Sequence, residues 1–187
     1  MELYDKIIRI VDVNIVYCLI PMILTLLLAE LFFKHKFPTK NALNLIRWFI
    51  LLYTAVTLTH FLIGITLNPE NFAFTERATG PYKAAYWLMF VSAAILPFTL
   101  LIKRMASKFW YVLLIAFCMK IGVYFEQFVI ITTSLHRDYL PGNVIPKLPH
   151  FPGFGISALI LQGIVLAVLV LALLKLLERR KVSVAEK

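Results

Sequence analysis

The sequence predicts an all-α integral membrane protein, built as a five-helix transmembrane bundle with its N-terminus outside and its C-terminus cytoplasmic. Three observations predict it. The first is composition. Of 187 residues, 61% are hydrophobic and 16% charged, with a mean hydropathy of +0.84, whereas a soluble domain is closer to half apolar and about a quarter charged. That balance excludes an ordinary cytosolic enzyme domain and a disordered chain. The second is that the apolar residues fall into five runs of spanning length, without the period-2 alternation of a membrane β-barrel. The third is that lysine and arginine collect in alternate connections, as in a multi-pass protein.

A helix rises about 1.5 Å per residue, so about 20 apolar residues cross a hydrocarbon layer of roughly 30 Å. The runs place helices at about 12–33, 44–66, 84–102, 109–133 and 155–177, in a single membrane domain over 1–187. The first follows Asp5, Lys6, Arg9 and Asp12. It lacks a basic leader followed by a small-residue cleavage site, so it reads as a retained helix rather than a signal peptide. Pro38 closes the first helix, Asn68-Pro69 the second, and Gly80-Pro81 precedes the third. A Pro- and Gly-rich run from Pro141 to Gly155 separates the last two. Irregular backbone is not stable against lipid, so these breaks belong at the surface or inside protein. No internal repeat is evident. With neither inverted repeats nor broken helices to read, a small transporter finds no support.

The charges follow the connections. Lys34, Lys36, Lys40 and Arg47 lie in one loop, Lys103, Arg104 and Lys108 in a second, and Lys175, Arg179, Arg180, Lys181 and Lys187 at the C-terminal end. On the other side Lys6, Arg9, Arg77, Lys83, Arg137 and Lys147 are balanced by Glu2, Asp5, Asp12, Glu70, Glu76 and Asp138. The positive-inside rule turns this asymmetry into the stated orientation. The net charge of +9 is then an orientation signal rather than a nucleic-acid signal, since no basic soluble face is interleaved with stacking groups.

The chemistry within the spans is sparse. Cys18 and Cys118 are far apart, and no CxxC, CxxCH or ferredoxin-like run is present. His60 is the one histidine placed in a span; His35, His136 and His150 fall in loops, which leaves no pair for a b-type haem. Walker, GxGxxG and HExxH patterns are absent, so no metal site and no catalytic residue is assigned. A charged side chain at mid-membrane costs about 2.5–3.5 kcal/mol on insertion scales and defaults to a functional candidate. Lys120 lies near the middle of the fourth helix. Glu126 lies six residues on, about 9 Å along the axis and about 120° around it, so the two do not pair directly. The partner of Lys120 is expected on another helix or another chain, either as an interhelix pin or as part of a proton or ligand path. Glu126, Gln127 and His60 fall in the outer halves of their helices, and Arg137 and Asp138 follow as the fourth helix exits. Apolar walls beside a carboxylate or histidine and a donor are what a quinol headgroup requires, although His60 also reads as an ordinary interfacial histidine. Glu30 with Lys34 at i+4 reads as an interfacial salt bridge. Tyr17, Trp48, Tyr82, Tyr86, Trp87, Trp110 and Tyr139 read as an aromatic belt.

Two stretches carry a family resemblance. One is Arg77-Ala78-Thr79-Gly80-Pro81-Tyr82, with Tyr86-Trp87 and Ile95-Leu96-Pro97 beyond it. The other runs from Tyr124 through Glu126-Gln127 to Ile131, then Ser134-Leu135-His136-Arg137-Asp138-Tyr139-Leu140-Pro141. In order and spacing they resemble the second half of the quinol-oxidising membrane subunits of bacterial alternative complex III, within the NrfD/polysulfide-reductase membrane-subunit family. The resemblance is clearest from about 44 to 141.

The resemblance implies a subunit of a respiratory electron-transfer complex in the bacterial inner membrane. It would handle a quinone, menaquinone or ubiquinone, near the outer face, and would bind no other cofactor by itself. It implies partners: membrane subunits supplying the missing first bundle, an iron–sulfur subunit, in some members c-type haem subunits, and lipid. Two departures bear on this. The chain matches the second bundle alone, and Gln127 stands where such subunits carry arginine after the glutamate. Both favour an alternative, a non-redox structural subunit that anchors a larger complex.

Overall fold

The computed structural model describes residues 2–33, 36–67, 74–125, 128 and 152–185, and every described element is helical. Helix α1 (Glu2–Val11) passes through a π-helical turn (Asp12–Val16) into α2 (Leu19–Phe33). Helix α3 is Thr39–Leu67, and the short α4 (Phe74–Thr79) leads to α5 (Lys83–Phe90). That helix continues through a second π turn (Val91–Ile95) and a 3-10 segment (Leu96–Leu101). A single turn, α6 (Lys103–Ala106), precedes α7 (Phe109–Met119), and α8 is Pro152–Ala185.

Four helices are long and apolar enough to cross a membrane: Lys6–Phe33, Thr39–Leu67, Lys83–Leu101 and Ser157–Arg180. The stretch expected at 109–133 starts with α7, whose 11 residues fall short of a crossing by themselves. Two boundaries move. The first helix includes Lys6, Arg9 and Asp12 rather than following them, because α1 is amphipathic and its charges do not interrupt it. The second starts at Thr39, directly after Pro38, whose carbonyl accepts the Ala42 N–H at 3.0 Å.

The helices are also less regular than expected, which corrects the reading that none is broken. Both π turns lie just before a proline. Pro21 has no N–H to give the Tyr17 carbonyl, and upstream of it Tyr17 N–H reaches back to Asp12 O while Cys18 N–H takes Ile15 O, both at 3.0 Å. Pro97 acts likewise on the third span, which changes from π to 3-10 geometry around it.

The core lies where α2, α3, the 3-10 segment, α7 and α8 meet. Leu19, Ile23 and Leu26 pack with Leu43, Ile46, Ile50, Leu100, Val112, Ile115 and Ala167, each nearly inaccessible. In a bilayer, close packing and small residues rather than water exclusion hold helices together. Gly163 shows this most directly: a Cβ there would come within 2.6 Å of Pro21 Cγ and 3.0 Å of Cys18 O. Twelve residues further along each helix, Lys175 lies over Phe37 beside the end of α2. The first span and α8 therefore run in the same direction.

Arg47 is not a loop charge, as its place in the basic segment implied. It is buried, with Nε donating to Leu100 O at 2.7 Å, and its other nitrogens reaching Asn44 Oδ1 at 3.1 Å and Leu101 O at 3.4 Å. The end of the 3-10 segment exposes carbonyls with no helical donor, and the guanidinium caps them.

Candidate functional site

Lys120 marks the point where α7 breaks. Its backbone (φ −113°, ψ 14°) leaves the α region, and its N–H bonds to Phe117 O at 3.1 Å. The helix resumes beyond it, with Tyr124 N–H on Lys120 O at 3.1 Å. The break turns the ammonium inward, where it is about nine-tenths buried, and Nζ lies 2.9 Å from Asp12 Oδ1. The same carboxylate oxygen accepts the hydroxyl of Tyr53. The Tyr17 ring closes the other side, 4.8 Å from Nζ.

Three helices thus contribute to one neutral cluster, with Asp12 and Tyr17 from the first span, Tyr53 from the second and Lys120 from the end of α7. The partner expected on another helix is Asp12. Its assignment to the balanced outer charges is corrected: it lies inside the Lys6–Phe33 span, at the first residue of the π turn. A π turn widens the helix by one residue, and such bulges recur at functional positions. Sequence reasoning missed Asp12, Tyr53 and Tyr17. The available signal was that a buried lysine needs a counter-ion, and Asp12 is the acid that adjoins the first apolar run.

His60 lies seven residues beyond Tyr53, about 10 Å further along the same face of α3. It is half-buried, and its ring stacks on Tyr4 at 3.8 Å with an 18° interplanar angle. The contact joins the start of α1 to α3.

The second candidate place is a cavity of about 390 Å³. Glu76, Arg77, Pro81 and Tyr82 line it together with Tyr86, Met89 and Phe125. The two stretches that carry the family resemblance therefore meet here, the first through Arg77, Gly80, Pro81, Tyr82 and Tyr86 and the second through Phe125. Gly80 makes the turn: its N–H bonds to Glu76 O at 2.9 Å, and a Cβ would fall 2.4 Å from that oxygen. Trp87 Nε1 donates to Ala78 O at 3.2 Å, which fixes the turn against α5. Behind the cavity Phe61, Phe74, Tyr86, Trp87 and Phe90 form an aromatic cluster, with ring centroids 5.5–6.4 Å apart. Trp87 and Tyr86 are thus packed on one another rather than only serving as belt anchors.

The remaining sequence candidates, Glu126, Gln127, Arg137 and Asp138, lie outside the described residues. So does Lys34; its expected partner Glu30 accepts the hydroxyl of Thr39 across the turn between α2 and α3. Among the described residues, no group of three His, Cys, Asp or Glu is placed to hold a metal ion. No family model, curated protein or solved structure matches the chain.

Proposed function

We propose that this chain is an integral membrane subunit of a quinol-handling respiratory electron-transfer complex of the bacterial inner membrane. It contributes to a quinone site or proton path near the outer face, together with other subunits. The observation that carries this reading is the cavity at Arg77–Tyr86, where the two motif-bearing stretches come together against Phe125. Its aromatic walls suit a quinone ring, and Glu76 and Arg77 supply an acceptor and a cation at its edge. Glu126 follows Phe125 in the chain, and its carboxylate is the proposed proton acceptor. The quinone supplies the redox chemistry. The chain's residues bind it, exclude water and hold a proton, while iron–sulfur or haem subunits take the electrons.

A five-span topology, N-terminus outside and C-terminus cytoplasmic, belongs to this reading. The common direction of the first span and α8 supports it, because consecutive crossings alternate and two co-directional ends require an odd number. The stretch from α7 onward is the proposed additional crossing.

The test is quinol turnover by the native complex carrying Glu126→Gln or Arg77→Ala, with bound quinone assayed in parallel. The reading expects loss of at least tenfold in turnover or loss of bound quinone. Unchanged turnover and quinone content would overturn it.

The neutral Asp12–Lys120–Tyr53 cluster favours the second reading, a non-redox structural subunit, because its members satisfy one another across three spans. On that reading Glu126→Gln leaves turnover intact, and deletion of the chain disperses the complex.

A further inference from the structure

A groove of about 500 Å³ separates the C-terminal halves of α2 and α8, away from the cavity above. It is lined by Leu28, Phe32, Val168 and Leu171 together with the small residues Ala29 and Ala172. The hydroxyl within it, on Thr25, donates to Pro21 O at 2.7 Å and so is already occupied as a donor. One charged group stands at the mouth. Lys175 is half-buried, with Nζ held 4.8 Å from the Phe37 ring, which packs edge-on against Phe33 at 5.4 Å. The surrounding end of the bundle is basic, with Lys36, Lys40 and Arg179 exposed. Its two described carboxylates are engaged elsewhere, Glu30 by Thr39 and Glu178 by the Asn41 amide at 2.9 Å.

We propose that this groove is a binding site for an anionic phospholipid, with one acyl chain lying between α2 and α8 and the phosphate taken by Lys175. Charge complementarity selects the occupant. An apolar channel with no free donor along its length suits an alkyl chain, and a fixed ammonium at the membrane-surface end suits a phosphate. A neutral lipid would fill the channel but leave the ammonium without an anion. A lysine near an anionic headgroup contributes about 1 kcal/mol, so the preference for an anionic over a zwitterionic headgroup is expected to be about fivefold. The inference rests on the membrane reading of the helices and not on quinone chemistry.

The experiment uses the full chain purified in mild detergent and titrated with phosphatidylglycerol or phosphatidylcholine, read by native mass spectrometry. The wild type should retain phosphatidylglycerol about fivefold better. Lys175→Gln should abolish that preference, and Lys175→Arg should keep it. Ala172→Phe should block retention of both lipids while leaving helix content unchanged by circular dichroism. Equal retention of the two lipids by the wild type would overturn the proposal, as would an undiminished preference in Lys175→Gln. A photo-crosslinker at Phe32 that captures another polypeptide in native membranes, rather than lipid, would also overturn it.

Discussion

Replacing Lys120 by Met removes one member of the buried pair while keeping an unbranched side chain only one heavy atom shorter. In the wild type the ammonium lies 2.9 Å from Asp12 Oδ1 at a site that is 10% exposed for Lys120 and 24% for Asp12. Removing one partner of a buried ion pair costs about 3–5 kcal/mol, because the other charge is left uncompensated. Two features move the expectation to the lower end of that range. The Asp12 carboxylate keeps its hydrogen bond from Tyr53, and a quarter of its surface is open. The expected loss is about 3 kcal/mol, roughly a 150-fold change in the folding equilibrium. The double variant Asp12→Leu/Lys120→Met removes both charges, and apolar replacement of a buried pair is often neutral or better. It should therefore lie within about 1 kcal/mol of wild type, leaving a coupling of at least 2 kcal/mol between the two positions. The assay is reversible unfolding of the full chain in bicelles, run as a complete double-mutant cycle. If the two single variants each fall within about 0.5 kcal/mol of wild type, or if their effects simply add, the pair does not hold the spans together and the argument fails.

Other consequences are open to the same measurement. Arg47→Lys keeps the charge but loses the planar fork that serves Leu100 O and Asn44; a loss of about 1–2 kcal/mol is expected, and Arg47→Met should lose more. Gly163→Ala places a methyl 2.6 Å from Pro21 Cγ and should separate α2 from α8, at a cost of about 1–3 kcal/mol, whereas Gly155→Ala, with open space around it, should be nearly silent. Gly80→Ala sets a Cβ against Glu76 O and should lower thermal stability and distort the Arg77 turn. A Gly80→Ala protein with wild-type melting would show that the turn is not sterically fixed.

What the sequence made legible follows from the length scale of each signal. Apolar runs average over about 20 residues, so the spans survive local errors, and four helices of crossing length lie where runs were read. Backbone irregularity has no comparable signal. Pro21 and Pro97 were visible, but the π turns that accompany them depend on which carbonyls find donors in the packed bundle. Arg47 shows the same limit for charge. Its position beside lysines implied a surface loop, yet the carbonyls it caps lie more than fifty residues away in the chain and become available only when the third span tightens around Pro97. For the candidate site, Lys120 was identifiable because a charge within a long apolar run is rare. Asp12 was masked by nearby charges that made it look like part of a polar flank, and the Tyr4–His60 stack depends on α1 being helical where a flank was expected.

The π turn at Asp12–Val16 has a consequence for changes of length rather than of identity. It accommodates one residue more than a regular helix would, and each residue is worth about 100° of rotation. Deleting Val13, which is half exposed, would let the segment relax into an uninterrupted α-helix. Because the π turn absorbs that residue, everything N-terminal to it would keep its phase relative to Pro21 and Gly163, with Asp12 still toward Lys120 and Tyr4 toward His60, whereas the same deletion within the regular α-helix Leu19–Phe33 would turn the flanking segments by about 100°. The first helix is in effect phased twice, once by its contact with α8 and once by its two contacts with α3. A single inserted residue reconciles the two phases. In this segment the loss of one residue should therefore be far better tolerated than the same loss within Leu19–Phe33.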